Sequence, residues 1–186
     1  MPVAWKYIHT VLTFLVVIPS FMTAFTVVAM LERAGRKKGG AGLFGWIKKL
    51  NWHDPSVAAQ ILGGILFFTG GITGVINASA SLNLVIHNTT WVPAHFHVTL
   101  ATTSTLGFMG ISYWLIPHLM KKDLRMPRVA LASTWSWFGG MIVFMLGMYW
   151  LGLLGVPRRV PLATATYVQP PWELPGIITA IGGAIL

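Results

Sequence analysis

The sequence has 186 residues, of which 55% are hydrophobic and 9% are charged, and its mean hydropathy is +0.69. Because soluble domains carry about a quarter charged residues, this composition excludes an ordinary soluble domain and indicates a membrane protein. The net charge of +9 does not indicate nucleic-acid binding, since the basic residues cluster between apolar runs, where they encode membrane topology. The chain has no cysteine, so it cannot by itself form a disulfide, an iron–sulfur cluster or a thiolate-bound copper site.

The apolar runs predict an all-α fold, a polytopic transmembrane helical bundle that forms one membrane domain over residues 1-186. A span requires about 20 apolar residues, and four runs reach this length. A fifth run begins after Pro175 and stops after 11 residues, so we expect the chain to end inside a helix, as a segment of a larger subunit. The predicted complete spans are 5–31, 55–78, 92–119 and 129–154, and the incomplete one is 176–186.

The first predicted span carries a series of hydroxyl side chains. Ser20, Thr23 and Thr26 follow one another at i, i+3 and i+6, and Thr13 lies nearer the N-terminus. Such a series could carry protons, but serine and threonine also bond backbone carbonyls in membrane helices, and the spacing alone favours this simpler interpretation. None of the four acidic residues falls at mid-membrane, so a proton route through the chain would use hydroxyls and water.

The loops predict the orientation in the membrane. Residues 32–54 and 120–128 hold ten of the thirteen basic residues, which predicts that both loops are cytoplasmic. Within the first loop, residues 42–50 resemble a short amphipathic segment lying in the interface. The loop at 79–90 has no Lys or Arg, so we expect it, the N-terminus and the last connection on the outer side.

Two histidines near this outer face suggest a cofactor. His95 and His97 are separated by one residue, and on a helix such positions lie about 200° apart, too far apart in azimuth to share one metal. Two centres, one on each side, can each take one imidazole as an axial ligand, and in a membrane protein this suggests heme. A helix-packing role is the alternative for a single histidine, but His87 adds a third imidazole within eleven residues.

Arg158 and Arg159 form the second candidate site. They follow Val-Pro in a turn predicted on the same outer side, and paired guanidinium groups can neutralise heme propionates through bidentate hydrogen bonds. Lipid headgroups are the alternative partner, because arginine at a helix end commonly reaches the interface. Proximity to the face that carries the two histidines favours the propionates.

Several motifs resemble subunit I of the heme-copper oxygen reductases, in particular the B class typified by ba-type cytochrome c oxidases of thermophiles. They cover nearly the whole chain, and the His-Phe-His entry is the most specific. The motifs are Trp-Val-Pro-Ala-His-Phe-His-Val at 91–98, His-Asn-Thr-Thr at 87–90, Ile-His-Thr-Val-Leu-Thr at 8–13, Ile-Pro-Ser-Phe-Met-Thr-Ala-Phe-Thr at 18–26 and Val-Pro-Arg-Arg at 156–159.

The resemblance implies roles for the candidate residues. His95 would be the proximal ligand of the high-spin heme at which oxygen binds, and His97 an axial ligand of the low-spin heme, with Phe96 between them. Asn83 stands where the family relative carries an aspartate close to the propionates. The propionate contacts would be His87, Arg158 and Arg159, and the proton channel from the cytoplasm would include Thr13, Ser20, Thr23 and Thr26.

The resemblance also implies cofactors and partners. The two hemes would be a low-spin b- or a-type and a high-spin a-type, while the copper ligands lie on helices that precede the residue corresponding to Met1. The chain is thus expected to be the later part of subunit I, inactive alone, in a proton-pumping oxidase of the cell inner (plasma) membrane. Expected partners are the remaining helices of subunit I, a copper-containing subunit II, and cytochrome c or quinol as electron donor.

Three other functions remain open from the sequence. A membrane diheme electron carrier would have two six-coordinate irons and would not bind carbon monoxide. A nitric oxide reductase-like subunit shares the ligand pattern, and the helices that would distinguish it are not in this chain. A cofactor-free transporter would contain no heme, and its histidines would serve gating or packing.

Overall fold

The computed structural model describes residues 3–160 and 168–186, so part of the predicted last outer connection, 161–167, lies outside the described residues. Every regular element within the described ranges is helical, in agreement with the predicted all-α class. The helices are α1 Val3–Lys37, α2 Pro55–Ala78, α3 Ala80–Ile86, α4 Trp91–Phe96, α5 Thr102–Met120, α6 Pro127–Leu153 and α7 Glu173–Ile185.

The predicted number of complete spans is not exact. Three helices, α1, α2 and α6, are long and apolar enough to cross a membrane, whereas the sequence predicts four complete spans. The difference lies at the predicted span 92–119, where the chain is helical from Trp91 to Met120 but a π-helical turn, His97–Ala101, separates α4 from α5. Serine, threonine, glycine and histidine are frequent in this stretch, which lowers its hydropathy relative to the other spans.

Helix α1 lies at the edge of the molecule. Its 35 residues extend about 50 Å at 1.5 Å per residue, well beyond the roughly 30 Å of a hydrocarbon core. No residue of its most apolar window is buried. It contacts α2, and the Phe21 and Phe68 rings meet edge to face with centroids 5.7 Å apart. The helix therefore presents most of its apolar surface outward.

Helices α2, α5 and α6 form the centre of the molecule. Helix α2 begins where the Asp54 carboxylate accepts a hydrogen bond from the Ser56 backbone N–H at 2.9 Å, with Pro55 in the first turn, a combination that favours helix initiation. Its apolar face packs on α5 and α6. The fully buried side chains at this junction include Leu62, Leu66, Val98, Leu106 and Met141.

Small residues hold α7 against α6. A Cβ atom added at Gly140 would lie 3.1 Å from the Gly182 carbonyl oxygen, and one added at Gly182 would overlap the Phe144 backbone. Such close approach is typical of helices that associate in membranes. Helix α7 therefore packs closely on the middle of α6, around Gly140 and Phe144.

The predicted amphipathic segment at 42–50 is not a regular helix. It consists of turns followed by one 3₁₀ turn, Ile47–Lys49. Trp46 and Leu50 are buried beside Ile61 of α2, whereas Lys48 and Lys49 are exposed. The segment is therefore anchored by its apolar side chains with its lysines outward.

Candidate functional site

The loop before α4 fixes the start of the histidine helix against α6. The Thr89 hydroxyl donates to the Ile86 carbonyl at 2.7 Å and accepts from the Trp91 backbone N–H at 3.3 Å. The Thr90 hydroxyl donates across to the Met148 carbonyl of α6 at 3.2 Å. Gly152 of α6 touches the Trp91 backbone so closely that any Cβ there would overlap it. Helix α4 therefore begins at a position set by α6.

The π-helical turn His97–Ala101 begins at the second histidine. The Thr102 hydroxyl donates to the His97 carbonyl at 2.7 Å, one residue further back than the usual i−4 contact. Single π turns inside helices occur frequently at functional sites, because they reorient the side chains beside them. The sequence pattern predicts an uninterrupted helix here and gives no indication of this turn.

The His95 ring faces α2. Its Nδ1 lies 3.2 Å from the Gly70 carbonyl oxygen and 2.9 Å from the Thr73 hydroxyl oxygen. The Thr73 hydroxyl in turn donates to the Gly70 carbonyl at 2.7 Å and lies 2.8 Å from the Tyr149 hydroxyl of α6. A Cβ at Gly74 would come within 3.0 Å of the imidazole. The ring thus lies against a glycine-rich face of α2, where the Gly70 carbonyl and the Thr73 hydroxyl hold it and Thr73 in turn contacts Tyr149 of α6.

The His97 ring faces α6. Its Nδ1 lies 2.7 Å from the Pro93 carbonyl oxygen, one helical turn earlier, and its centroid lies 5.2 Å from that of Phe144. The backbone of Phe144 packs closely on Gly182. His97 is therefore positioned by its own helix and by α6, which α7 supports.

The two imidazoles share a chemical state suited to axial ligation. A carbonyl oxygen only accepts hydrogen bonds, so Nδ1 of each ring must carry the proton and Nε2 must carry the lone pair. This arrangement, with Nδ1–H on a carbonyl or hydroxyl oxygen, is the usual way in which a metal-binding histidine is oriented. The rings contact different helices, and Phe96 between them is 53% exposed. The residues therefore fit two separate hemes.

A buried indole supports the same conclusion. Trp91 packs on Tyr149 with ring centroids 4.6 Å apart, and its Nε1 is buried without a hydrogen-bond partner among the described residues. Buried donors are nearly always paired in native proteins. An unpaired donor one turn before His95 is thus consistent with an acceptor supplied by a bound group or a neighbouring helix.

The predicted propionate contacts lie on two loops that pair with each other. The Thr90 backbone N–H donates to the Val156 carbonyl at 2.9 Å, and the Arg158 N–H donates to the Asn88 carbonyl at 2.8 Å. This pairing brings His87 into the same region as Arg158 and Arg159. Both Asn88 and Arg159 adopt positive φ angles, 62° and 66°, which are uncommon outside glycine and often occur at functional sites.

Asn83 has a role within the scaffold. Its side-chain amide donates to the Asn77 carbonyl at 2.7 Å, which links α3 to the end of α2. Asn83 is half-buried, whereas His87 and Arg159 are exposed. One N–H of the side-chain amide is therefore engaged inside the chain, whereas its second N–H and the side-chain oxygen could bond another partner.

The four predicted proton-path hydroxyls, called here the α1 hydroxyls, all bond to their own helix. They donate to carbonyl oxygens four residues earlier, at distances between 2.8 and 3.0 Å. Thr13 also lies 3.5 Å from the His9 imidazole. They are half-buried or exposed within this chain. The α1 hydroxyls are Thr13, Ser20, Thr23 and Thr26.

No group of three or more His, Cys, Asp or Glu side chains is placed to hold a metal ion within residues 3–160 and 168–186. Within those residues, His95 and His97 could therefore each offer only a single ligand to a metal. Each would need the remaining coordination positions of its metal to be filled by a macrocycle or by other helices.

Thr73, Tyr149 and Phe144 are site residues that the sequence analysis missed. Thr73 stands in the glycine-rich stretch Gly-Gly-Ile-Thr-Gly at 70–74, and Tyr149 is the only tyrosine of the last complete predicted span. A hydroxyl flanked by glycines is an indication of close packing against a polar group. The partner of that hydroxyl, however, depends on how three helices pack, which periodicity does not reveal.

Comparisons with known proteins agree on one family. The model of the family described as cytochrome c and quinol oxidase polypeptide I matches residues 1–185. One cytochrome c oxidase subunit 1 of Thermus thermophilus is 47% identical over 184 residues, 98% of this chain and 33% of that protein. A second Thermus thermophilus sequence of the same name is 44% identical over 108 residues, 57% of this chain and 100% of that sequence.

Solved structures give the same result. A chain in the cryo-electron microscopy structure of a heme-copper terminal oxidase dimer superposes with a TM-score of 0.83 and 32% sequence identity, covering 100% of this chain and 36% of that chain. The chain thus spans about a third of the length of the longer relatives, 33% and 36%.

Proposed function

The chain belongs to the cytochrome c and quinol oxidase polypeptide I family, and we propose that it forms the heme-binding part of the catalytic subunit of a terminal oxidase. The oxidases of this family contain heme and copper, and the membrane-spanning helices identify an integral membrane protein. The proposed reaction is the reduction of oxygen to water with electrons from cytochrome c or quinol, coupled to proton pumping. Family membership does not favour the electron-carrier or cofactor-free alternatives.

One observation carries the proposal: two histidines on one helical segment face different helices, and the Nδ1 of each is fixed by a carbonyl oxygen. Their Nε2 atoms remain for a metal, and because the two rings contact different helices the proposal assigns them to separate irons. In the proposal His95 binds the high-spin heme and His97 the low-spin heme. When bound, the heme irons and the copper supply electron transfer and the reduction of oxygen. The chain orients the ligands and separates the two sites by one short stretch of helix.

The paired loops serve the propionates in this proposal. The Arg158 and Arg159 guanidinium groups provide positive charge and bidentate donors for carboxylates, and His87 lies on the loop that pairs with their turn. The Asn83 side-chain oxygen lies at the adjoining corner of α2 and α3, where an amide in place of a carboxylate removes one ionisable group. Proton loading near the propionates would therefore differ from that in relatives with aspartate.

The α1 hydroxyls are proposed to belong to the proton route from the cytoplasm. Each hydroxyl donates to a carbonyl of its own helix and retains lone pairs that can accept a hydrogen bond from water. The outward exposure of α1 allows helices from the rest of subunit I to complete the route. In the proposal, the helices of the rest of subunit I would also bring the copper ligands and the second low-spin heme ligand.

The finer assignments follow from the motifs. The motifs at 87–98 and 156–159 support a place in the B class, with a b- or a-type low-spin heme and an a-type high-spin heme. The basic loops support a plasma-membrane orientation with 32–54 and 120–128 inside. The proposed partners are the rest of subunit I and a copper-containing subunit II.

Histidine variants of the assembled oxidase test the proposal. We expect His97→Ala to abolish the low-spin heme spectrum and His95→Ala to abolish carbon monoxide binding at the high-spin heme, because each variant removes one axial ligand. Optical spectra of the reduced enzyme, with and without carbon monoxide, measure both effects. His118→Ala, at the opposite end of α5, is the matched control and should retain both spectra. Equal loss of both hemes in each site variant would contradict the assignment.

A further inference from the structure

The Thr73 hydroxyl contacts the His95 ring of α4 and the Tyr149 phenol of α6, and the directions of its hydrogen bonds can be worked out from its three neighbours. A threonine hydroxyl has one proton to donate and two lone pairs to accept. The proton goes to the Gly70 carbonyl at 2.7 Å. The remaining neighbours, His95 Nδ1 at 2.9 Å and the Tyr149 hydroxyl at 2.8 Å, must then both be donors. Tyr149 therefore donates to the same oxygen that accepts from the imidazole.

We propose that Tyr149 is a positioning residue for His95, acting through the Thr73 hydroxyl, so that α6 sets the orientation and the electron density of the high-spin heme ligand. The inference rests on the proposed function, in which His95 binds that heme. Tyr149 itself need not touch the heme. Its effect passes through two hydrogen bonds, from phenol to threonine and from imidazole to threonine.

The Tyr149 phenol helps to determine which backbone carbonyl the Thr73 hydroxyl bonds. Several hydroxyls on the membrane-facing helices, such as Thr23 and Thr26, donate to the carbonyl four residues earlier, and Thr69 bonds both the Ile65 and the Leu66 carbonyls. Thr73 instead donates to Gly70, three residues earlier. The Tyr149 hydroxyl on the opposite side favours this arrangement, because it occupies the second lone pair and keeps the oxygen directed between α2 and α6. Without it, Thr73 can turn to the ordinary i−4 carbonyl and away from His95.

Tyr149 is well suited to hold this position. Its ring packs on Trp91 with centroids 4.6 Å apart, and Trp91 begins the helix that carries His95. The backbone of Trp91 is itself pressed on Gly152, one turn after Tyr149 in α6. Tyr149 is therefore packed directly against the first residue of the helix that carries His95. The same two helices, α4 and α6, are also linked through Thr73 of α2 by the hydrogen bonds from Tyr149 and His95.

The expected consequence lies in the bond between His95 Nε2 and iron. A stronger acceptor at Nδ1–H makes an imidazole a more electron-rich ligand. The Thr73 oxygen and the Gly70 carbonyl share this proton in the structure. Loss of the Thr73 contact leaves only the longer bond to Gly70, so the iron–histidine bond should weaken while the heme stays bound.

Tyr149→Phe in the assembled oxidase tests the inference, with resonance Raman spectra of the reduced high-spin heme as the readout. We expect the iron–histidine stretching band to move to lower frequency, with full heme content and an unchanged low-spin heme. Phenylalanine retains the packing on Trp91. Thr73→Val should shift the band further in the same direction, and Thr73→Ser, which keeps the hydroxyl, should restore it. Tyr113→Phe, about 24 Å along the helix from His97 at 1.5 Å per residue, is the matched control.

The outcomes separate the inference from the proposed function. A band at the wild-type frequency in Tyr149→Phe would overturn the positioning role, and so would loss of the high-spin heme, since positioning through Thr73 predicts retention. If His95→Ala retains carbon monoxide binding, the proposed function itself fails, whatever the Tyr149 variant shows. A shifted band in Tyr149→Phe together with an unshifted one in Tyr113→Phe supports the inference.

Discussion

Hydroxyl groups in two regions of this molecule do different things. Those around His95 and its helix, here called the site hydroxyls (Thr73, Thr90 and Tyr149), bond across helices. The α1 hydroxyls bond only along their own helix among the described residues. The same residue types therefore hold the tertiary structure together in one region and leave a helix with an open polar side in the other.

The difference shows which functions this chain completes by itself. Helices α2, α4 and α6 together orient both imidazoles, so the geometry of the two proposed heme ligands is set within residues 55–160. In the proposed function, helix α1 would supply one side of a proton route, because its hydroxyls lie on an outward-facing helix. Variants in the first region should alter static spectra and stability, whereas variants in α1 should alter turnover alone.

The largest expected effect comes from Gly70→Ala. An added Cβ would lie 2.5 Å from Thr99 Cγ2 and 2.8 Å from Val98 Cγ1, inside the π-helical turn. Overpacking of this kind costs about 1–3 kcal/mol, and relief requires the turn or the Gly70 carbonyl to move. We expect a lower thermal midpoint of the assembled oxidase and a shifted or diminished high-spin heme spectrum, measured by differential scanning calorimetry and optical spectroscopy.

Gly71→Ala provides the matched control for that variant. Gly71 is adjacent in sequence, but a Cβ there meets nothing within 4 Å, and alanine is the better helix former. We expect wild-type spectra and an unchanged or slightly higher thermal midpoint. If Gly70→Ala behaves like Gly71→Ala, the close contact between α2 and the π turn does not constrain the site.

The sequence predicts more of the fold than of the site. Apolar runs predict the helices at 55–78 and 129–154 within a few residues of α2 and α6, since both are long and uniformly apolar. The π turn His97–Ala101 is not predicted from the sequence, because it depends on how Thr102 and its neighbours pack and has no recognisable periodicity of hydrophobic residues. Residue type and spacing identify the candidate residues at 87, 95, 97, 158 and 159. Thr73 and Tyr149 are 76 residues apart, and only the packing of α2 on α6 brings them together.

An intermediate effect is expected for Thr90→Val. The variant removes the hydroxyl that donates to the Met148 carbonyl at 3.2 Å, while the backbone bond from Thr90 to Val156 remains. Loss of one such hydrogen bond costs about 1 kcal/mol, and the start of α4 should loosen against α6. Calorimetry of the assembled oxidase measures the loss.

Thr69→Val is the control for Thr90→Val, because it also removes a threonine hydroxyl but one that bonds within its own helix. Thr69 is exposed, and its hydroxyl donates within α2 to the Ile65 carbonyl at 3.0 Å. A valine there should change the free energy of unfolding by less than about 0.5 kcal/mol, so the thermal midpoint should stay close to that of wild type. Equal losses in Thr90→Val and Thr69→Val would remove the distinction between the two kinds of hydroxyl.

The smallest static effect and the most specific kinetic one are expected for Thr26→Val. Among the described residues its hydroxyl bonds the Met22 carbonyl alone, at 2.8 Å. That carbonyl remains bonded within the helix, so heme spectra and thermal midpoint should match wild type. If the hydroxyl relays protons, losing a hydrogen bond worth about 1 kcal/mol from the route slows proton uptake about fivefold. Stopped-flow measurement of proton uptake during turnover gives the rate, and Thr26→Ser, which keeps the hydroxyl, should restore it. A wild-type rate in Thr26→Val would exclude this hydroxyl from the route, whereas altered spectra would show that α1 shapes the heme site after all.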